Sequence, residues 1–80
     1  MEEDIRNFIA EHLVKDSSAL KGIHDPIFSS GVVDSFGMVE LLSYLYERYQ
    51  VEIDPATVDP KDMDTPATIA QLVRARRGET

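Results

Sequence analysis

The 80-residue chain contains no cysteine. That excludes a disulfide framework, a thiolate metal site and a thiol nucleophile, and it is compatible with a reducing cytoplasm. Tryptophan is also absent, and His12 and His24 are the only histidines. The longest uninterrupted apolar runs are two or three residues, far too short to span a bilayer. The opening Met1-Glu2-Glu3-Asp4 is acidic, the opposite of a secretory leader, so a soluble cytoplasmic protein is expected. Basic residues are scarce: eight stand against fifteen acids, for a formal net charge of −7. Such a chain repels phosphate backbones and anionic lipid surfaces, which argues against nucleic acid partners and membrane insertion. Basic protein surfaces would be steered toward it. Low-complexity tracts and internal repeats are missing as well.

What remains is ordinary globular material, 42% hydrophobic and 29% charged, enough for one small domain over residues 1–80 with a modest core. Ile5, Phe8, Ile9 and Leu13 recur at helical spacing, with Glu2, Glu3, Asp4, Arg6 and Glu11 opposite. They predict a first helix from residue 2 or 3 to 15. A long connection follows from Asp16 to Val33, marked by Ser17-Ser18, Gly22, Asp25-Pro26 and Ser29-Ser30-Gly31. Its apolar residues Leu20, Ile23, Ile27, Phe28, Val32 and Val33 predict that it packs against the helices. A second helix should run from Ser35 to Tyr49 or Gln50. Its core stripe reads Met38, Leu42, Leu45 and Tyr49, flanked by Leu41 and Tyr46. Asp54-Pro55, Asp59-Pro60 and Thr65-Pro66 each place a capping residue before a first-position proline. The first two leave room only for single turns, and the third opens a helix to about Arg76 with Ile69, Leu72 and Val73 inward. Val51-Glu52-Ile53 is too short and unpartnered to be a strand. The architecture expected is an all-α bundle.

Charge is unevenly placed. Asp34, Glu40, Glu47, Glu52 and Asp54 face only Arg48 in their stretch, while Arg74, Arg76 and Arg77 complement the dipole of the terminal helix. Asp59, Asp62 and Asp64 are spaced loosely like calcium ligands but lack the required glycine and glutamate. Capping explains them more simply, and no metal is expected.

The chemistry concentrates at Gly31-Val32-Val33-Asp34-Ser35-Phe36-Gly37. Asp34 is the better helix cap, which leaves the Ser35 hydroxyl outward and uncommitted. A Gly-x-Ser-x-Gly elbow is absent because residue 33 is Val, and neither His12 nor His24 has a spacing that argues for a triad. His12 reads as a surface or boundary residue and His24 as a loop hydrogen-bonder. The serine is a weak nucleophile but an accessible attachment point. Phe36 and Val39 lie on the solvent side of the second helix beside Glu40 and Glu47, with the makeup of a docking patch. Met38 and Met63 read as core fillers.

Gly31-x-x-Asp34-Ser35-Phe36 followed by Met38-Val39-Glu40-Leu41-Leu42 resembles the attachment motif of acyl and peptidyl carrier proteins. The likeness covers nearly the whole chain. It implies an acyl-carrier-like four-helix bundle, three main helices plus a short third one, with no catalysis of its own. In such proteins a phosphopantetheinyl transferase moves 4′-phosphopantetheine from coenzyme A onto the serine that matches Ser35, beside the matching Asp34. The arm then carries an acyl or aminoacyl thioester between partner enzymes. Phe36, Val39, Glu40 and Glu47 match the family's partner-contact positions, and Met63 matches another. The implied partners are the transferase, an acyl or aminoacyl ligase or acyltransferase, and a downstream synthase or transferase, met by a monomer. Phe36 and Gly37 depart from fatty-acid carriers. They look closer to D-alanyl carriers and to free-standing carriers of amino acids or extender units in polyketide and nonribosomal pathways. Met1 and the short tail suggest a discrete protein. A fatty-acid synthase carrier and an unmodified acidic interaction module are the alternatives, and a hydrolase using Ser35 would need a nearby histidine.

Overall fold

The computed structural model describes residues 1–14 and 22–78. Three α-helices are present among the described residues: α1 over Glu2–Phe8, α2 over Ser35–Tyr49 and α3 over Pro66–Arg76. No strand occurs among the described residues. The all-α expectation therefore holds, but the short third helix of a four-helix bundle is only a four-residue 3₁₀ turn, Pro60–Met63. Among the described residues no helix is long and apolar enough to cross a membrane.

The apolar stripe of α1 buries Ile5 and Ile9 completely, while Phe8 and Leu13 are half-buried. The helix does not run to residue 15. It widens into a π-helical turn over Ile9–Leu13, and extended backbone at Val14 (φ −116°, ψ 131°) ends it. Lys15 lies outside the described residues, as do Asp16, Ser17, Ser18 and Leu20 of the expected connection. Arg74 of α3 reaches Glu2 across 2.6 Å and ties the two helices at that end. Its guanidinium holds the Glu2 carboxyl below the usual range. Arg74 thus has a named partner as well as a helix dipole to complement. Phe8 stacks on Tyr44 with ring centroids 4.0 Å apart, which ties α1 to α2.

The core stripe of α2 is rotated from the expected one. Gly37, Leu41 and Leu45 are its buried residues, whereas Met38, Leu42 and Tyr49 are half-buried and Tyr46 is exposed. The i, i+4, i+8 row through residue 41 faces the core, because α1 packs on the Tyr44 side. Gln50, in the left-handed region at φ 60°, terminates the helix. Val51 and Ile53 are then buried, and Glu52 between them is left outside.

All three acid-or-threonine–proline signals are caps. Asp54 Oδ1 accepts the Ala56 amide at 2.9 Å and closes a single turn. Asp59 Oδ1 accepts the Lys61 amide at 3.0 Å. Thr65 forms a reciprocal capping box with Thr68. Below these caps Pro66, Ile69, Ala70 and Val73 line the inner face of α3, with Leu72 half-buried.

The connection before α2 is packed down as its composition suggests. Ile27 and Val33 are buried, and Asp64 holds it in place. The Asp64 carbonyl accepts the Ile27 amide at 2.7 Å. One carboxylate oxygen accepts the Phe28 and Ser29 amides at 2.8 and 2.9 Å, and the other takes the Ser29 hydroxyl at 2.7 Å. Partial burial alone would push this carboxyl up. The Ser29 hydroxyl and the Ser29, Phe28 and Ile27 amides outweigh burial and hold it below the ordinary 3.8. A carboxyl lowered in the folded state stabilises fully above its unfolded value, and that contribution is lost as pH falls through the folded value. Urea titrations should show wild-type stability declining as pH drops below about 4. Asp64→Asn should be less stable at pH 7 and decline less on acidification. Identical acid limbs for the two proteins would contradict this role.

Candidate functional site

The site is assembled where the packed connection runs into α2. Gly31, at φ 79°, supplies a left-handed residue that only glycine adopts without cost. Its amide donates to the Phe28 carbonyl at 3.1 Å, and the Val33 amide donates to the Ile27 carbonyl at 2.9 Å. This double return delivers Val33 to the core and Asp34 to the cap position in extended backbone (φ −96°, ψ −174°). Asp34 Oδ1 then accepts the Gly37 amide at 2.9 Å, and its carbonyl accepts the Met38 amide at 3.1 Å. The capping role read from the sequence is the one observed.

Ser35 is the first residue of α2 and is exposed. Its hydroxyl makes no hydrogen bond among the described residues, since Asp34 has taken the free amide a serine would otherwise cap. No general base reaches it from the histidines. His12 packs its ring against Phe8 at 5.0 Å, and Phe8 meets α2 at Tyr44, about 13 Å along the helix from Ser35. His24 is exposed and makes no hydrogen bond among the described residues, so the loop role expected for it is not seen. No group of acids and histidines able to hold a metal ion occurs among the described residues.

Gly37 is explained by contact. A Cβ at this position would run into Cγ1 of Val33, a buried side chain of the connection. The first turn of α2 can close over the connection only because residue 37 has no side chain.

The outer face of α2 carries the other expected residues together. Phe36 is 81% exposed and Val39 63% exposed, with Glu40 and Glu47 exposed beside them. Tyr46 joins this face at 53% exposure. Sequence reasoning placed it beside the core, and a helical wheel centred on Leu41 would have found it. Two clefts flank the face. One, of about 330 Å³, lies toward residues 52 and 53 and is lined by Leu42, Ser43, Tyr46, Glu47, Glu52 and Ile53. The other, of about 310 Å³, lies toward α1, with Phe8 and Tyr44 in its walls. Met63 does not join them. It is completely buried, so its expected partner contact is corrected to core filling: the capped 3₁₀ turn points the side chain inward.

Residues 3–75 match the family model described as a phosphopantetheine attachment site, and the chain belongs to that family. The family binds covalently attached 4′-phosphopantetheine. No curated protein matches the chain. The residues present fit the group. An exposed serine whose hydroxyl has no hydrogen bond among the described residues stands at the start of a 15-residue helix, where the positive dipole end favours a phosphodiester.

The Val33–Gly37 contact yields a direct test. Gly37→Ala would ordinarily favour a helix, but here it should destabilise by about 1–3 kcal/mol through overpacking, read by urea unfolding. The double variant Val33→Ala/Gly37→Ala should recover part of the Gly37→Ala loss. A stabilised single variant would show that the contact does not constrain the turn.

Proposed function

We propose that, within the phosphopantetheine attachment family, this chain is a carrier without catalysis of its own, modified on the Ser35 hydroxyl. The carrying observation is the division of labour at the start of α2. Asp34 satisfies the Gly37 amide, and Ser35 is left exposed and, among the described residues, unengaged. When bound, the group supplies the thiol this chain lacks, on which an acyl or aminoacyl cargo is held as a thioester for transfer. The protein's own residues do the rest. Asp34 fixes the first turn of α2, so the Ser35 Oγ is presented from rigid backbone. The transferase is expected to supply the base that takes the Ser35 proton, since neither histidine is placed to do so among the described residues.

Phe36 and Val39 form the apolar centre of the docking face, and Glu40 and Glu47 form its charged rim. An apolar centre inside a carboxylate rim suits enzymes with a basic surface around an apolar recess. The run Asp34-Ser35-Phe36-Gly37 through Leu42 favours an aminoacyl or extender-unit cargo, in D-alanylation or a polyketide or nonribosomal pathway. The ligase or acyltransferase that loads the carrier and the synthase or transferase that unloads it would meet this same face in turn.

Incubation with a phosphopantetheinyl transferase and coenzyme A should raise the intact mass by one phosphopantetheinyl group. Ser35→Ala should abolish the gain while keeping the helical circular dichroism of wild type. An equal gain in that variant would sink the assignment. Glu40→Lys/Glu47→Lys should slow association with a basic partner enzyme by tenfold or more at low ionic strength, with the gap narrowing as salt rises, on the usual scale of about 10–10³ for electrostatic steering. Unchanged association rates and salt dependence would reduce the acidic rim to a solvated surface.

A further inference from the structure

We propose that Asp64 is a positioning residue for the modification of Ser35: it clamps the Ile27–Ser29 backbone and so sets where Val33 delivers the start of α2. This rests on the assignment of Ser35 as the attachment point and adds a distant residue to the same site.

The connection before α2 has no regular structure between residues 22 and 34, so its shape must come from specific ties. Asp64 receives four of them. Its carbonyl takes the Ile27 amide, one carboxylate oxygen takes the Phe28 and Ser29 amides, and the other takes the Ser29 hydroxyl, all within 2.7–2.9 Å. The side-chain bonds join residues 36 and 35 positions apart. The next tie in the same direction is the Ile23 carbonyl, which accepts the Ala67 amide at 2.8 Å. Asp64 and Ala67 flank the start of α3, so the beginning of one helix is the scaffold for the beginning of another.

From Ile27 the constraint passes along covalent and hydrogen-bonded neighbours. The Ile27 carbonyl, fixed by the clamp, accepts the Val33 amide. The Ser30 hydroxyl donates to the Pro26 carbonyl at 2.7 Å and closes the turn between them. Val33 then lodges where Gly37 has no Cβ, Asp34 caps, and Ser35 follows. The coupling needs no long-range field, only a contiguous run of short contacts. A carboxylate suits the task because three donors converge on its two oxygens and no cation is needed. Asparagine can copy most of this: its oxygen accepts the two amides, and its amide group can donate to the Ser29 hydroxyl. Alanine can copy none of it.

The test is steady-state phosphopantetheinyl transfer to wild type, Asp64→Ala, Asp64→Asn and Ser29→Ala. A variant that is merely less folded offers less competent substrate, which raises the apparent KM and leaves kcat alone. A misplaced hydroxyl lowers kcat instead. Asp64→Ala should lower kcat about tenfold, within the penalty expected for an ångström-scale misplacement. Asp64→Asn should stay within about twofold of wild type, and Ser29→Ala should fall between, as expected for loss of one of several hydrogen bonds. Amide hydrogen exchange supplies a reading independent of transfer. The Val33 amide should exchange faster in Asp64→Ala and not in Asp64→Asn, while the Leu45 amide stays protected in both.

A folded Asp64→Ala with wild-type kcat would overturn the proposal, as would an Asp64→Asn as impaired as the alanine variant. If Asp64→Ala fails to fold, the Ser29→Ala kcat decides. If wild type itself gains no mass, the Ser35 assignment falls, and unchanged Val33 exchange in Asp64→Ala would then dispose of the clamp as well.

Discussion

Val33 occupies the space that a side chain at position 37 would need, and much of the site follows from that exclusion. The connection can lie close against the first turn of α2 only because residue 37 is glycine, and that closeness buries Val33. Burying Val33 fixes the residue that follows it, and Asp34 enters the cap position in extended backbone. With the cap supplied by the preceding residue, Ser35 has nothing to satisfy. An exposed, unengaged hydroxyl at a helix start is thus the end product of a packing contact on the opposite side of the same turn.

That contact also alters what the sequence can be made to say about cargo. Gly37 read as a departure from fatty-acid carriers, and the structure supplies a packing reason for it that is independent of any cargo. The glycine reports on residue 33 first. Phe36 has no such internal explanation: among the described residues it is the most exposed large apolar side chain.

Much of the architecture was legible because its signals are local. The caps at Asp34, Asp54, Asp59 and Thr65 could be read directly, since a side chain bonding an amide two or three residues away needs only short-range geometry. The exposure of Phe36 and Val39 followed from helical period alone. Reading failed where a second element decided the outcome. The core stripe of α2 was placed one row off, because Tyr44 is recruited by Phe8 of α1 and no pattern within α2 announces that stack. Tyr46 was pulled inward in the reading for the same reason. Met63 carried two readings at once, and only the inward aim of the 3₁₀ turn separates them. The bonds of Asp64 to residues 27–29 had no sequence signature, being contacts between segments far apart in the chain.

The order in which the chain is made gives those distant bonds a further meaning. Ser35 leaves the ribosome well before Asp64, Thr65 and Ala67, so a nascent or truncated chain holds the serine without the segment that shapes its approach. The bonds that hold Ile27, Phe28 and Ser29 can form only once that later segment has arrived and folded. The two helix starts, one at Ser35 and one at Pro66, are therefore completed together, the earlier waiting on the later.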